Sequence, residues 1–175
     1  MTNAATPEVG HFDHRERDMK TSLTTLLGFV IGLGLSANAL ASDLGTREEA
    51  LALLKRAVAV LKADTPRALD LFTSGAGGFI KKDLYVFCGG PDGMLTAHPH
   101  FMGGNIRSYK DKTGKAVGEE IYAQATDGEY KEIVYKAPRP TSASTAVTAE
   151  AAEQVDKASF FTKVGDNICG VGYYK

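Results

Sequence analysis

DLYVFCGGPDGMLTAH, Asp83 to His98, reads as a strand, a tight turn and a returning strand. Leu84, Val86 and Cys88 alternate with Tyr85 and Phe87, so both faces of the first strand are apolar and it is expected inside a sheet rather than at its rim. Gly89-Gly90-Pro91-Asp92-Gly93 is the turn, because glycine reaches backbone conformations closed to other residues, while proline and aspartate pre-set the bend. Met94 to His98 then returns as the second strand of a hairpin.

The flanks of the hairpin are helical upstream and mixed downstream. Thr46 followed by Glu49 forms a capping box, which starts a helix whose Leu51, Leu54, Val58 and Leu61, with Ala50 and Ala57, share one side. Asp64-Thr65-Pro66 restarts the chain as a short second helix with Leu69 and Phe72 as its apolar contacts, ended by Ser74-Gly75-Ala76-Gly77-Gly78. Beyond the hairpin, His98-Pro99-His100 leaves the sheet and Gly103-Gly104 loosens the chain. A polar turn over Lys110 to Gly114 precedes a crossover helix from about Ala116 to Ala125. Tyr130 to Tyr135 reads as a third strand stopped by Pro138 and Pro140, and residues 141–153 as a solvated loop or short helix. Ala158 to Val164, a Gly165-Asp166-Asn167 turn and Ile168 to Tyr174 form a closing hairpin. The class is therefore α+β.

An export signal is expected ahead of this domain. Lys20 follows Met19 as a positive start, Leu23 to Leu35 is mostly apolar with Gly28, Gly32 and Gly34 interspersed, and Ala39-Leu40-Ala41 fits a cleavage site before Ser42. That apolar stretch falls short of the roughly 20 residues a membrane helix needs, although retention as a signal anchor is the rival reading. The acidic leader before Met19 suits an n-region poorly, which points to Met19 as the start. The expected division is 1–41 for leader and signal and 42–175 for one domain. No second apolar run follows, and a periplasmic location without a second span is the expectation. Three of the 20 Lys and Arg and four of the 21 Asp and Glu precede Ser42, leaving 17 of each and no basic stripe, which argues against nucleic acid as a partner.

Catalytic patterns are absent from the sequence. No serine stands in a G-x-S-x-G setting, Glu119 and Glu120 diverge by about 100° on a helix, and GGPDG lacks the Lys-Ser or Lys-Thr of a phosphate loop. Neither an enzyme nor a cofactor is expected.

The order of helix, DLYVFC, GPDG turn, AHP, a D-x-x-G-K loop, YKAPRP and the terminal VGDNICGVGYYK resembles the single Cache domain of bacterial extracytoplasmic sensors, in its stand-alone exported form. The resemblance runs from about Thr46 to Lys175. It implies a PAS-like antiparallel sheet of about five strands, a long N-terminal helix, and covering loops and helix that enclose a small organic ligand, often a carboxylate. It also implies a membrane-bound receptor or kinase as partner, with a homodimer through the N-terminal helix as an open option. First and last strands adjoin in such sheets, which would join Cys88 to Cys169 in a disulfide, as an exported compartment permits. A redox switch, or a metal site of the two thiolates with His98 and His100, is the rival, but no C-x-x-C is present and His98 and His100 would face opposite ways in a regular strand.

Candidate ligand groups are His98 at the AHP position, Arg107 as a fork for a carboxylate, Tyr122 on the crossover helix, Tyr135 in YKAPRP and Lys157 at the opening of the fourth strand. Each has a bland reading: packing against Pro99 for His98, a surface role for Arg107 and Lys157, core packing for the tyrosines. Tyr130 and Tyr135 must face opposite sides of a regular strand, and Tyr135 is preferred. Gly170 and Gly172 share one face, as a ligand floor or a helix seat. A structural module of an envelope complex is the alternative to the sensor.

Overall fold

The capping box forms as read: the Thr46 hydroxyl accepts from the Glu49 amide at 3.2 Å and the Glu49 carboxylate from the Thr46 amide at 3.0 Å. It opens α1, Arg47–Ala63, in a computed structural model that describes residues 44–139 and 152–175. The expected signal, its cleavage point and the span 141–151 lie outside the described residues. The buried stripe of α1 is Ala50, Leu53, Leu54, Ala57, Val58 and Leu61. Leu53 takes the place expected for Leu51, which stays partly exposed beside the cluster. Asp64 accepts from the Arg67 amide at 3.1 Å and starts α2, Thr65–Ser74, with Pro66 in the first turn. Gly75 ends it at φ 71°, a conformation that favours glycine.

The strands are β1 (Ile80–Lys81), β2 (Leu84–Gly89), β3 (Leu95–Ala97), β4 (Lys131–Pro138), β5 (Gln154–Val164) and β6 (Asn167–Tyr174), with α3 (Val117–Gln124) between β3 and β4. All pair antiparallel in the order β1-β2-β6-β5-β4, and β3 pairs with β2. The expected hairpin is present, with a shorter returning strand and a bulge between Cys88 and Gly89. The third expected strand runs on through Pro138, which is tolerated because β4 pairs only with β5 and so lies at the edge. The fourth begins at Gln154 rather than Ala158, since Gln154 to Lys157 pair with Tyr135 to Pro138. Lys157 therefore sits within β5 rather than at its opening.

Two packed faces follow from the alternation. Leu84, Val86, Cys88, Ala158, Phe160, Cys169, Val171 and Tyr173 meet α1 and α2 in the main core. Ile133, Phe161 and Ile168 face the other way and meet Val117 and Ile121 of α3. Cys88 and Cys169 are direct cross-strand partners with Cα atoms 4.1 Å apart, and they are bonded as a disulfide in the helix-side core. Among the described residues no helix is long and apolar enough to cross a membrane.

Candidate functional site

On the face away from α1 and α2 the sheet does not pack solid. A cavity of about 730 Å³ lies between it and the covering segment 98–116, with Pro138, Arg139, Ala152 and Gln154 at its far rim. Register builds its floor: Tyr135 pairs with Lys157 and Lys157 with Tyr174, so one row crosses three strands. The neighbouring row runs Ile133, Ser159, Gly172.

Glycine on β6 makes the room that the sequence suggested, and side chains occupy it. A methyl group at Gly172 would stand 2.6 Å from Lys157 Cε and 2.9 Å from Ser159 Oγ, and one at Gly170 would stand 2.5 Å from Phe87 Cζ. Among the described residues, side chains and not a helix stand nearest to these glycines. The notch accepts the stem of Lys157 and the ring of Phe87.

Lys157 is 7% exposed, and its ammonium lies over the rings of Tyr174 and Tyr85 at 4.7 and 5.2 Å from their centroids. No carboxylate among the described residues pairs with it. A buried ammonium in mostly apolar surroundings is costly unless an anion reaches it. His98 supports the same polarity. Its Nδ1 accepts from the backbone amides of His100 and Phe101 at 3.0 and 3.1 Å, so in the neutral ring Nε2 carries the proton and is a donor. Burial, then the charges of His100 and Lys157, lower its pKa to about 4. The bend at Pro99 brings the His98 and His100 rings to 6.0 Å, both against Tyr85, and removes the opposite-face geometry of a regular strand.

Tyr135 and Ser159 share a hydrogen bond of 3.0 Å. Two hydroxyls hold two protons and their mutual bond uses one, which leaves a donor for a ligand. Burial drives the Tyr135 hydroxyl far above its ordinary range, so it stays protonated. Gln154, also lining the cavity, has a buried side-chain oxygen without a partner.

His98, Tyr135 and Lys157 thus line one cavity, whereas Arg107 and Tyr122 do not. Arg107 pairs with Glu119 at 3.3 Å and lies over the Tyr122 ring at 5.2 Å, while the Tyr122 hydroxyl donates to the Gly90 carbonyl at 2.7 Å. These two residues tie the cover and α3 to the β2-β3 turn. Sequence reasoning did not pick out Tyr85, Tyr109, Ser159, Gln154 or Tyr174. The parity shared by Tyr85 with Phe87 was the signal available for the first, and the others needed the strand register.

Asp111 anchors the cover. One carboxylate oxygen accepts from the amides of Thr113 and Lys115 and from the Thr113 hydroxyl at 2.6 to 3.0 Å, and the other accepts from the Lys136 amide of β4 at 2.9 Å. The Lys136 amide first, then the Thr113 hydroxyl, hold its pKa down at about 2.

No family model matches the chain, and no curated protein does. Solved structures do. A methyl-accepting chemotaxis protein from Vibrio parahaemolyticus is similar at 18% identity over 73% of this chain and 86% of that one, with a TM-score of 0.53. A periplasmic sensor domain of a chemotaxis protein is similar at 20% identity, covering 73% and 88%, with a TM-score of 0.48. A Cache chemosensory domain whose structure concerns carboxylic acid recognition is similar at 20% identity, covering 70% and 84%, with a TM-score of 0.46. With β2 beside the last strand, a long helix on one face and a cavity on the other, the described residues form one α+β domain that shares its fold with the Vibrio chemotaxis protein.

Proposed function

We propose that the protein is an exported sensor domain that captures a small organic carboxylate beneath the 98–116 cover and presents the altered cover to a membrane-bound receptor or kinase. The observation that supports this reading is the buried ammonium of Lys157, unpaired with any carboxylate among the described residues, beside a mostly apolar cavity. A ligand carboxylate would complete the ion pair, and the His98 Nε2–H and the spare hydroxyl of the Tyr135–Ser159 pair would satisfy its remaining lone pairs. The cover responds because a ligand shifts only those equilibria whose states it contacts differently. Transmission through a homodimer built on α1 belongs to the same reading and is checked by sedimentation with and without ligand.

Thermal-shift screening over carboxylates, amino acids and amines tests the binding role, since a ligand at 100 times its Kd stabilises the native form by about 2.7 kcal/mol. At least one carboxylate should raise the Tm of the native sequence and fail to raise that of Lys157→Met. A screen in which acids have no effect, or in which amines are the hits, rejects it.

A further inference from the structure

The walls of the cavity narrow the ligand beyond its charge. Six aromatic side chains line it: Tyr85, Phe87, Tyr135 and Tyr174 from the sheet, and Phe101 and Tyr109 from the cover. Their rings meet across the two layers, with Tyr109 6.0 Å from Tyr135 at an interplanar angle of 81°. No acidic residue is among the described lining residues. Lys157 is the cation lodged in the floor. Lys136 and Arg139 at the margin are paired with Asp156 and Glu153, and Lys110 and Lys112 line it from the cover.

Size points the same way. At about 730 Å³ the cavity has room for many waters and falls in the range of roughly 300 to 1,000 Å³ that holds drug-sized ligands. An acid of two or three carbons bound at Lys157 would displace few of those waters and would leave most of the aromatic wall wet. It would also meet the cover through His98 alone, leaving the Phe101 and Tyr109 rings without a ligand contact. A flat apolar body covers the wall and meets those rings, because aromatic walls offer offset-stacked and edge-on contacts to a ring placed between them.

We infer that the preferred ligand is an arene carboxylate, its acid group on Lys157 and the His98 Nε2–H and its ring held between the sheet and cover aromatics. This rests on the carboxylate-sensor reading, and its test separates the two. Calorimetric titration of the purified protein compares phenylacetate, 3-phenylpropionate and 1-naphthylacetate with acetate, pyruvate and succinate. Arene acids are expected to bind about tenfold or more tighter than the best short acid. Phenylacetamide, which keeps the ring and loses the charge, is expected to bind about tenfold weaker than phenylacetate, a comparison that needs no folded variant. Tyr109→Ala, at an exposed position on the cover, should weaken the arene acids by a larger factor than acetate. Short acids binding as tightly as arene acids, with the response lost in Lys157→Met, would overturn the arene inference and leave the carboxylate sensor standing. Equal binding of phenylacetate and phenylacetamide would remove the role of the buried cation, and absence of binding by every acid would remove both readings.

Discussion

At His98 one ring nitrogen holds the backbone of the cover and the other is the donor assigned to the proposed ligand, so protonation would cost the first role. Its pKa of about 4 in the folded protein lies below the ordinary 6.5. The unfolded chain therefore takes up the proton first as pH falls, and the stability contributed by His98 is complete above about 6.5 and is lost on the way down to about 4. His98→Asn keeps a side-chain acceptor for the same amides and removes the titration. Its Tm should vary less with pH between 6.5 and 4 than that of the native sequence, and an unchanged slope would contradict the assignment. Asp111 acts lower on the scale: its contribution is present above its ordinary 3.8 and is lost as pH falls through about 2. Residue types revealed part of this site. A histidine before proline, a lysine and a tyrosine in strands were visible as candidates. Arg107 and Tyr122 carry equally suitable chemistry, but their contacts with Glu119 and Gly90 join segments whose proximity only the folded chain sets.

Local chemistry specifies individual elements well. The capping box, the Pro66 helix start and the turn closed by Gly90 and Gly93 each depend on a few neighbouring residues, and each is where the sequence puts it. The start of β5 was less legible because Gln154 to Lys157 is polar and becomes strand by pairing with β4. The cover is an element of a different kind, long and irregular, held at a few points. Asp111 is one, and replacing it with Ala should speed hydrogen exchange at the amides of Thr113, Lys115 and Lys136 while leaving β5 and β6 protected. Gly118 is another. A methyl there would overlap the Ile106 carbonyl oxygen and stand 2.6 Å from that of Arg107, so α3 rests directly on the backbone of the cover. Gly118→Ala should destabilise the protein by about 1 to 3 kcal/mol, the usual cost of overpacking, and lower ligand affinity with it. Denaturant titration with and without ligand measures both, and a neutral result would mean that the cover yields freely.

For the molecule as a whole, the disulfide is the largest single constraint on the unfolded chain. Its partners are 81 positions apart in sequence, and closing such a loop contributes about 4.5 kcal/mol in the chain-entropy picture. Replacing Cys88 and Cys169 together with Ala should lower the guanidinium midpoint accordingly. A loss below about 1 kcal/mol would show that the strands are held by packing instead. Strand alternation revealed which residues share a face, but strand order depends on long-range pairing. The adjacency of β2 and β6 was accessible from the sequence only through the resemblance of its motifs to a known fold. The same sheet also divides the labour of the chain. The core built with α1, α2 and the disulfide lies on one side, and the cavity lies on the other beside the smaller core of α3. On the proposed function, changes in cavity residues outside the Val117–Ile121 core would retune chemical preference while the helix-side core stays intact, so homologues sharing this framework would answer to different molecules.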